Sequence, residues 1–223
     1  MKASAAVDRS QYYKELKELA QEVRLKYQLA TPDISLSAIR NIYKDEKIIL
    51  DYWNHKLKKL RAAYMLLDGV PHVMLNGQIK PKQPRIFSLC HELKHHYRDQ
   101  EILKGHGYMG CQDISWSDGS LVEIGAEIFA AEFIYPEAEF LNFIKDIGIR
   151  QGNCSKEQVV QLKRDCGAPV SYAFVRKRLE WFHIIKRGTF DGIQFQKLED
   201  EIYGVPWWKT RRTGSRSVRS SRR

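Results

Sequence analysis

The pentapeptide H-E-L-K-H at 91–95 places two histidines and a glutamate at a spacing that suits metal chemistry. On a helix, His91 and His95 share one face, with about 5–6 Å between their Cβ atoms. Both imidazoles can then bind one zinc ion at about 2.0–2.1 Å. Glu92 lies beside that position, where a carboxylate acts as general base for a water molecule. The H-E-x-x-H pattern therefore predicts a hydrolytic metal site.

The segment around the motif has the pattern of a helix. Pro84 suits a first helical turn, and the apolar residues that follow repeat at helical spacing (Ile86, Leu89, Leu93, Tyr97). His91 and His95 lie off this stripe, so a second layer of the protein can meet them. A surface helix with solvated histidines is the alternative interpretation of the same pattern.

The sequence on both sides of the motif resembles one family of zinc peptidases. R-I-F-S-L-C at 85–90 runs into H-E-x-x-H, and E-x-x-A-E-x-F-A-A begins at Glu123 and is followed by Pro136. This pattern resembles the ImmA/IrrE metallo-endopeptidases, which are thermolysin-like enzymes. The resemblance covers residues 35–182 and is densest between 84 and 136. Lys94 departs from the family pattern, which often has a small residue there, and Glu127 stands where the family often has Asn.

The resemblance implies a ligand set and a substrate. Glu123 would be the third metal ligand, and Glu127, one turn later on the same face, would support a zinc histidine and fix its tautomer. The metal would be zinc, although two histidines, a glutamate and water also accept manganese. The substrate would be a helix-turn-helix transcriptional repressor, whose cleavage derepresses genes of a mobile element or a stress response.

Glu123 also has a structural interpretation. S-L-V-E at 120–123 is a capping box, in which Glu123 would fold back onto the start of its helix. If Ser117 or Asp118 caps the helix instead, Glu123 is available to a metal.

Most of the net charge of +10 lies in the last fifteen residues, 209–223, which contain seven lysines and arginines and no acid. We expect this tail to be disordered. It is either able to make nonspecific nucleic acid contacts or a solubilising end with no dedicated partner. The chain has no 18-residue apolar run, no signal-peptide pattern and no C-x-x-C spacing. These features predict a cytoplasmic protein without a membrane partner.

Upstream of the motif, the pattern changes from helix to strand. Helices are expected from Gln11 to Tyr27 and from Thr31-Pro32 to Tyr43, and strands over 47–53, 61–67 and 72–76, with a tight hairpin at Asp68-Gly69. The sequence thus predicts an α+β fold: a small three-stranded sheet packed on helices that include the H-E-x-x-H helix. We expect the third strand, with Val73, Met74, Leu75 and Asn76, to lie near the sheet edge and to pair with an extended substrate.

The segment K-G-H-G-Y-M-G at 104–110 is rich in glycine and predicts a loop. Peptide hydrolysis benefits from a donor to the developing oxyanion besides the metal. His106 and Tyr108 are candidates for that donor, and an exposed loop with incidental polar groups is the alternative.

The C-terminal third reads as helices. A capping box at 155–158 starts one helix, a break at 167–169 follows, and a second helix runs from Ser171 to Phe182. This pair resembles the helix-turn-helix-like region of the ImmA/IrrE family. The turn presents Ser171, Tyr172 and Ala173 rather than basic side chains, which favours packing or repressor docking over DNA reading.

The domain prediction is a metallopeptidase domain over 1–136, a helix-turn-helix-like region over 137–203 and a basic tail over 204–223. The alternative function is that of a DNA-associated regulator whose metal site is vestigial or structural. Structural zinc sites usually have four protein ligands, commonly with cysteine, so the open His, His, Glu set favours the enzyme.

Overall fold

The computed structural model describes residues 8–53, 60–80, 82–101, 108–112 and 121–206. The strands are β1 (Ile49–Trp53), β2 (Leu60–Leu67), β3 (Val70–Asn76) and β4 (Tyr108–Gln112). The helices are α1 (Arg9–Lys26), α2 (Leu36–Asp45), α3 (Lys82–Arg98), α4 (Leu121–Ile134), α5 (Glu137–Asp146), α6 (Lys156–Asp165), α7 (Tyr172–Trp181) and α8 (Phe195–Tyr203). The predicted α+β class is confirmed. Of the predicted basic tail, residues 207–223 lie outside the described residues.

The sheet has the strand order β1-β3-β2-β4. The predicted hairpin is confirmed: β2 and β3 are antiparallel, and Asp68 and Gly69 between them both have positive φ, at 51° and 78°. A two-residue turn with positive φ at both positions matches the right-handed twist of the strands. The three predicted strands are therefore all present, and β4 extends the sheet beyond β2.

The prediction that the third strand lies near the sheet edge is wrong. β3 pairs with β2 on one side and, in parallel, with β1 on the other, where Val73 lies opposite Leu50 and Asn76 opposite Trp53. The hairpin signal identifies one partner of β3, but β1 skips its neighbour in the chain to become the second. The residues Val73, Met74, Leu75 and Asn76 are thus internal to the sheet, and among the described strands β1 and β4 are the outer ones.

Two local predictions also need correction. The loop predicted to reach Gly110 ends earlier, because Tyr108–Gln112 pair antiparallel with β2, with Gly110 opposite Ala63. Thr31 and Pro32 begin a single 3₁₀ turn rather than helix α2. Ser35 caps α2 instead, through a bond from the Ala38 amide to its hydroxyl.

The described residues form two compact units. The first contains the residues up to Asn142 together with Gly167–Ser171, and the second contains Phe143–Cys166 and the residues from Tyr172 onward. The predicted boundary at residue 136 stays a prediction. In the second unit, the capping box at 155–158 is present: the Gln158 amide donates to the Ser155 hydroxyl, and the Gln158 side chain accepts from the Ser155 amide.

In the first unit, α4 is packed between α1 and α3. The buried Arg24 of α1 donates to the Phe133 carbonyl of α4 at 2.6 Å. Gly125 of α4 allows a close approach, since a Cβ atom there would lie 2.8 Å from Tyr12 Oη and 2.7 Å from Leu16 Cδ1. Arg24 thus holds the C-terminal end of α4, and Gly125 lets α1 approach the same helix closely.

Glu46, at the end of α2, joins the ends of three helices. Its Oε1 accepts hydrogen bonds from Lys26 at 2.5 Å, Tyr27 at 2.7 Å and Tyr97 at 2.6 Å. Burial alone raises the pKa of Glu46, but these three donors outweigh it and lower the pKa to about 2. Because Tyr97 lies on α3, this junction holds the C-terminal end of the H-E-x-x-H helix.

Among the described residues, no helix has both the length and the apolar character that a membrane crossing requires.

Candidate metal centre

His91 and His95 lie on one face of α3, as the four-residue spacing predicts. Their ring centroids are 5.2 Å apart. His91 is 4% exposed and His95 is fully buried, so the surface-helix interpretation is wrong. The apolar stripe explains this position, because Ile86, Leu89 and Leu93 are buried and place α3 within the unit.

Glu123 of α4 meets both histidines. Its Oε2 lies 3.3 Å from His91 Nε2, and its Oε1 lies 3.6 Å from His95 Nε2. Each of the three side chains offers a ligand atom within 4.8 Å of the others. Four ligands at about 2.1 Å in a tetrahedron lie about 3.4 Å from one another. The spacing and the chemistry of these three donors therefore fit a zinc-sized ion.

The capping interpretation of Glu123 depends on Ser120, which lies outside the described residues. In the structure, both carboxylate oxygens of Glu123 face the histidines. Glu123 is only 9% exposed, which is rare for a glutamate unless its charge is paired. This geometry supports the ligand role.

The outer nitrogens of both histidines face carboxylates. His95 Nδ1 lies 2.7 Å from Asp99 Oδ2, which is hydrogen-bond distance, and His91 Nδ1 lies 3.8 Å from Glu127 Oε1. A carboxylate at Nδ1 fixes the tautomer that turns Nε2 toward a metal. Sequence reasoning identified Glu127 but missed Asp99. The available signal was the four-residue spacing from His95 to Asp99, which repeats the spacing of the histidines.

The electrostatic environments of the two histidines differ. Burial lowers the pKa of His95 to about 4, although Asp99 opposes this shift. For His91, burial also lowers the pKa, but the carboxylates of Glu123, Glu92 and Glu127 outweigh it and the net pKa is raised. His95 is therefore neutral at physiological pH, the form in which imidazole binds a metal. His91 is surrounded by negative charge that favours a cation.

Glu92 is fully buried beside the first histidine. Its carboxylate is close enough to His91 to help raise the pKa of that ring. A buried carboxylate thus lies near the candidate ligand His91. This is the arrangement that a general base for hydrolysis requires.

The two candidate oxyanion donors are not placed by the structure. His106 lies outside the described residues. Tyr108 is the first residue of β4, where its backbone pairs opposite Met65, but its side chain is outside the description. Both assignments stay predictions.

The IrrE N-terminal-like domain, Peptidase_M78, is the family whose model matches residues 47–180. This range is more than half of the 223-residue chain and includes α3 and α4. No curated protein matches the chain.

Proposed function

Because the chain belongs to the IrrE N-terminal-like family of metallopeptidases, we propose that it is a zinc-dependent endopeptidase that cleaves a regulatory protein. The observation that carries this proposal is the position of Glu123. Its two carboxylate oxygens lie 3.3 and 3.6 Å from the Nε2 atoms of His91 and His95. Three protein ligands leave a fourth position for water or substrate, as catalytic zinc sites do.

A divalent metal held by His91, His95 and Glu123 would supply a Lewis acid, which would polarise the scissile carbonyl and lower the pKa of a water molecule. Glu92 takes the proton from the attacking water and delivers it to the leaving amine. Asp99 holds His95 in the tautomer that leaves Nε2 free to bind a metal, and Glu127 places negative charge beside His91. Glu123 completes the ligand set from the second helix.

The proposed substrate is a helix-turn-helix repressor, whose cleavage would derepress mobile-element or stress genes in the cytoplasm. A folded helix does not fit a peptidase cleft, so the cleaved segment must be extended and can pair with a sheet edge. Since β3 is internal, the outer strands are β1 and β4. We favour β4, because it lies in the chain between the two ligand-bearing helices α3 and α4.

The β pairing has its own test. Substrate peptides that are N-methylated at successive main-chain amides should lose cleavage with a period of two residues, because alternate amides point toward the partner strand. Equal loss at every position, or none at any, would contradict pairing with an edge.

The second unit gives little support to the alternative of a DNA-associated regulator. α6 and α7 form the predicted helical pair, but basic side chains of α7 are engaged within the unit. Arg178 is buried, with its guanidinium 5.7 Å from the Phe174 ring. Arg176 donates to Asp191 at 2.5 Å. A DNA reader would present such groups at the start of its second helix, where Ala173 is exposed instead.

The decisive experiment incubates the zinc-loaded protein with a candidate helix-turn-helix repressor, sought among the genes that neighbour its own, and reads the products by mass spectrometry. The wild type should give two fragments, and Glu92→Gln should give none while retaining zinc, because an amide cannot accept the proton. Glu132→Gln is a matched control: Glu132 is also a buried glutamate, but it accepts from Gln21 and the Glu137 amide.

Two results would contradict the proposal. One is cleavage by Glu92→Gln at the wild-type rate. The other is an intact repressor under all metal and salt conditions in which a control peptidase cleaves it.

A further inference from the structure

Lys94 is a fully buried lysine inside the H-E-x-x-H motif. Lysine is almost never fully buried unless its charge is paired. Lys94 lies on α3, one residue before the candidate ligand His95. Its contacts therefore bear on the metal centre, which is where the proposed function places the chemistry.

The ammonium makes one contact toward each ligand-bearing helix. Nζ donates to Asp99 Oδ2 at 2.7 Å and to the Val122 carbonyl at 3.0 Å. The same Asp99 oxygen lies 2.7 Å from His95 Nδ1. Val122 immediately precedes Glu123 in the first turn of α4. Lys94 thus contacts the carboxylate that supports His95 and the backbone beside Glu123.

Tyr12 of helix α1 lies beside the ion pair of Lys94 and Asp99. The ring centroid of Tyr12 lies 5.8 Å from Lys94 Nζ, a distance at which a cation is attracted to the face of an aromatic ring. Gly125 makes room for Tyr12, because a Cβ atom at this position would lie 2.8 Å from Tyr12 Oη. In such a dry environment, hydrogen bonds between charged groups are stronger than in water.

From these contacts, we propose that Lys94 is a positioning residue for the metal centre. It holds the Asp99 carboxylate against His95 and fixes the first turn of α4, so that Glu123 and His95 are set at ligand distance before a metal binds. This inference rests on the proposed metal site.

If Lys94 only filled space, its replacement would change the free energy of unfolding and leave the zinc affinity unchanged. Replacing a buried ion pair by apolar groups is often neutral for stability, whereas removing one partner leaves a buried charge that is expensive to keep. If Lys94 is removed, the Asp99 carboxylate is left uncompensated and turns away from His95. The loss should therefore appear in metal affinity, and not only in the free energy of unfolding.

The experiment compares zinc affinity, measured by competition with a chromogenic chelator, in the wild type and in Lys94→Met. We expect Lys94→Met to bind zinc about tenfold more weakly, which is the lower end of the usual effect of losing a group that supports a ligand. Arg24→Met is the matched control. Arg24 is also a buried cation that donates to a carbonyl of α4, but at Phe133, far along the helix from Glu123. It should lower the free energy of unfolding and leave zinc affinity within about twofold.

A double-mutant cycle with Asp99→Asn tests whether Lys94 acts on zinc binding through the Asp99 carboxylate. In the Asp99→Asn background, Lys94→Met should weaken zinc binding by about threefold or less, because the carboxylate through which it acts has lost its charge. An equal factor in both backgrounds would overturn the proposal, as would equal or tighter zinc binding by Lys94→Met.

If Lys94→Met does not fold, Lys94→Gln takes its place, since it keeps a donor without the charge. Zinc affinity below that of the wild type supports the proposal, and wild-type affinity overturns it. Failure of the proposed function is distinguishable, because in that case the wild type and His95→Ala bind zinc equally poorly.

Discussion

The two carboxylates that face the outer nitrogens of the histidines should differ in their effect on metal binding. Asp99→Asn and Glu127→Gln each keep the side-chain shape and remove the charge. We expect Asp99→Asn to weaken zinc binding about tenfold and Glu127→Gln to weaken it about threefold or less.

The difference follows from the two distances. Asp99 Oδ2 lies 2.7 Å from His95 Nδ1, which is a short bond between a ring N–H and a carboxylate, whereas Glu127 Oε1 lies 3.8 Å from His91 Nδ1, beyond hydrogen-bond range. A hydrogen bond to a charged group contributes about 1.5–3 kcal/mol, and one between neutral groups about 0.5–1.5 kcal/mol. Asp99→Asn therefore loses about 1–1.5 kcal/mol of support for the imidazole, and about 1.4 kcal/mol is a factor of ten in binding.

The assay is zinc competition with a chromogenic chelator at neutral pH, with urea unfolding of each metal-free variant as a control for folding. Metal-free Asp99→Asn should also unfold more easily, since the buried Lys94 ammonium loses its charged partner. The reasoning is refuted if the two variants bind zinc equally well, or if Glu127→Gln is the weaker binder while both are folded.

Three further predictions concern stability. Glu46→Gln should lower the free energy of unfolding by about 1–2 kcal/mol at neutral pH, less than the pKa shift alone implies because Lys26 is 57% exposed. Since the pKa of Glu46 is lowered to about 2, this contribution is present above the ordinary pKa of 4.5 and lost as pH falls toward 2. In urea unfolding, the free energies of unfolding of the variant and the wild type should therefore converge over that pH range. A constant difference between them would contradict the prediction. Gly125→Ala should cost about 1–3 kcal/mol in the same assay, because its methyl group meets Tyr12, and unchanged stability would mean that this contact is looser than described. Zinc at about 100 times its Kd should add about 2.7 kcal/mol to the stability of the wild type and little to His95→Ala, and an equal rise in melting temperature for both would place the ion elsewhere.

The ligand helix was predictable because its signals are local. The spacing of His91 and His95 determines that they share a helical face, whatever the rest of the chain does. Glu123 required the family resemblance, since nothing in a sequence states which distant carboxylate meets a given pair of histidines. Asp99 was missed, and Lys94 was identified only as a departure from the family pattern, for a related reason. A charged residue near a helix end is usually solvated, and the packing of α1 and α4 makes these two buried.

The sheet shows the same limit. The Asp68-Gly69 turn determines that β2 and β3 pair, and this was predicted. The parallel pairing of β1 with β3, which makes β3 internal, depends on a connection that leaves no turn signal. Likewise, β4 pairs with β2 although its Gly110 belongs to a glycine-rich segment that predicts a loop.

The packing of α1 on α4 has a consequence for how the protein is made. The Arg24 bond to the Phe133 carbonyl joins residues that are 109 positions apart, and contacts of such separation form late because a long loop must first be closed. During synthesis α1 leaves the ribosome long before α4 does, so the helix against which it packs is missing until residues 121–134 have been made. The nascent chain therefore carries H-E-x-x-H without Glu123 beside it, and the cluster of His91, His95 and Glu123 forms only when the helix that bears Glu123 has been made and has docked.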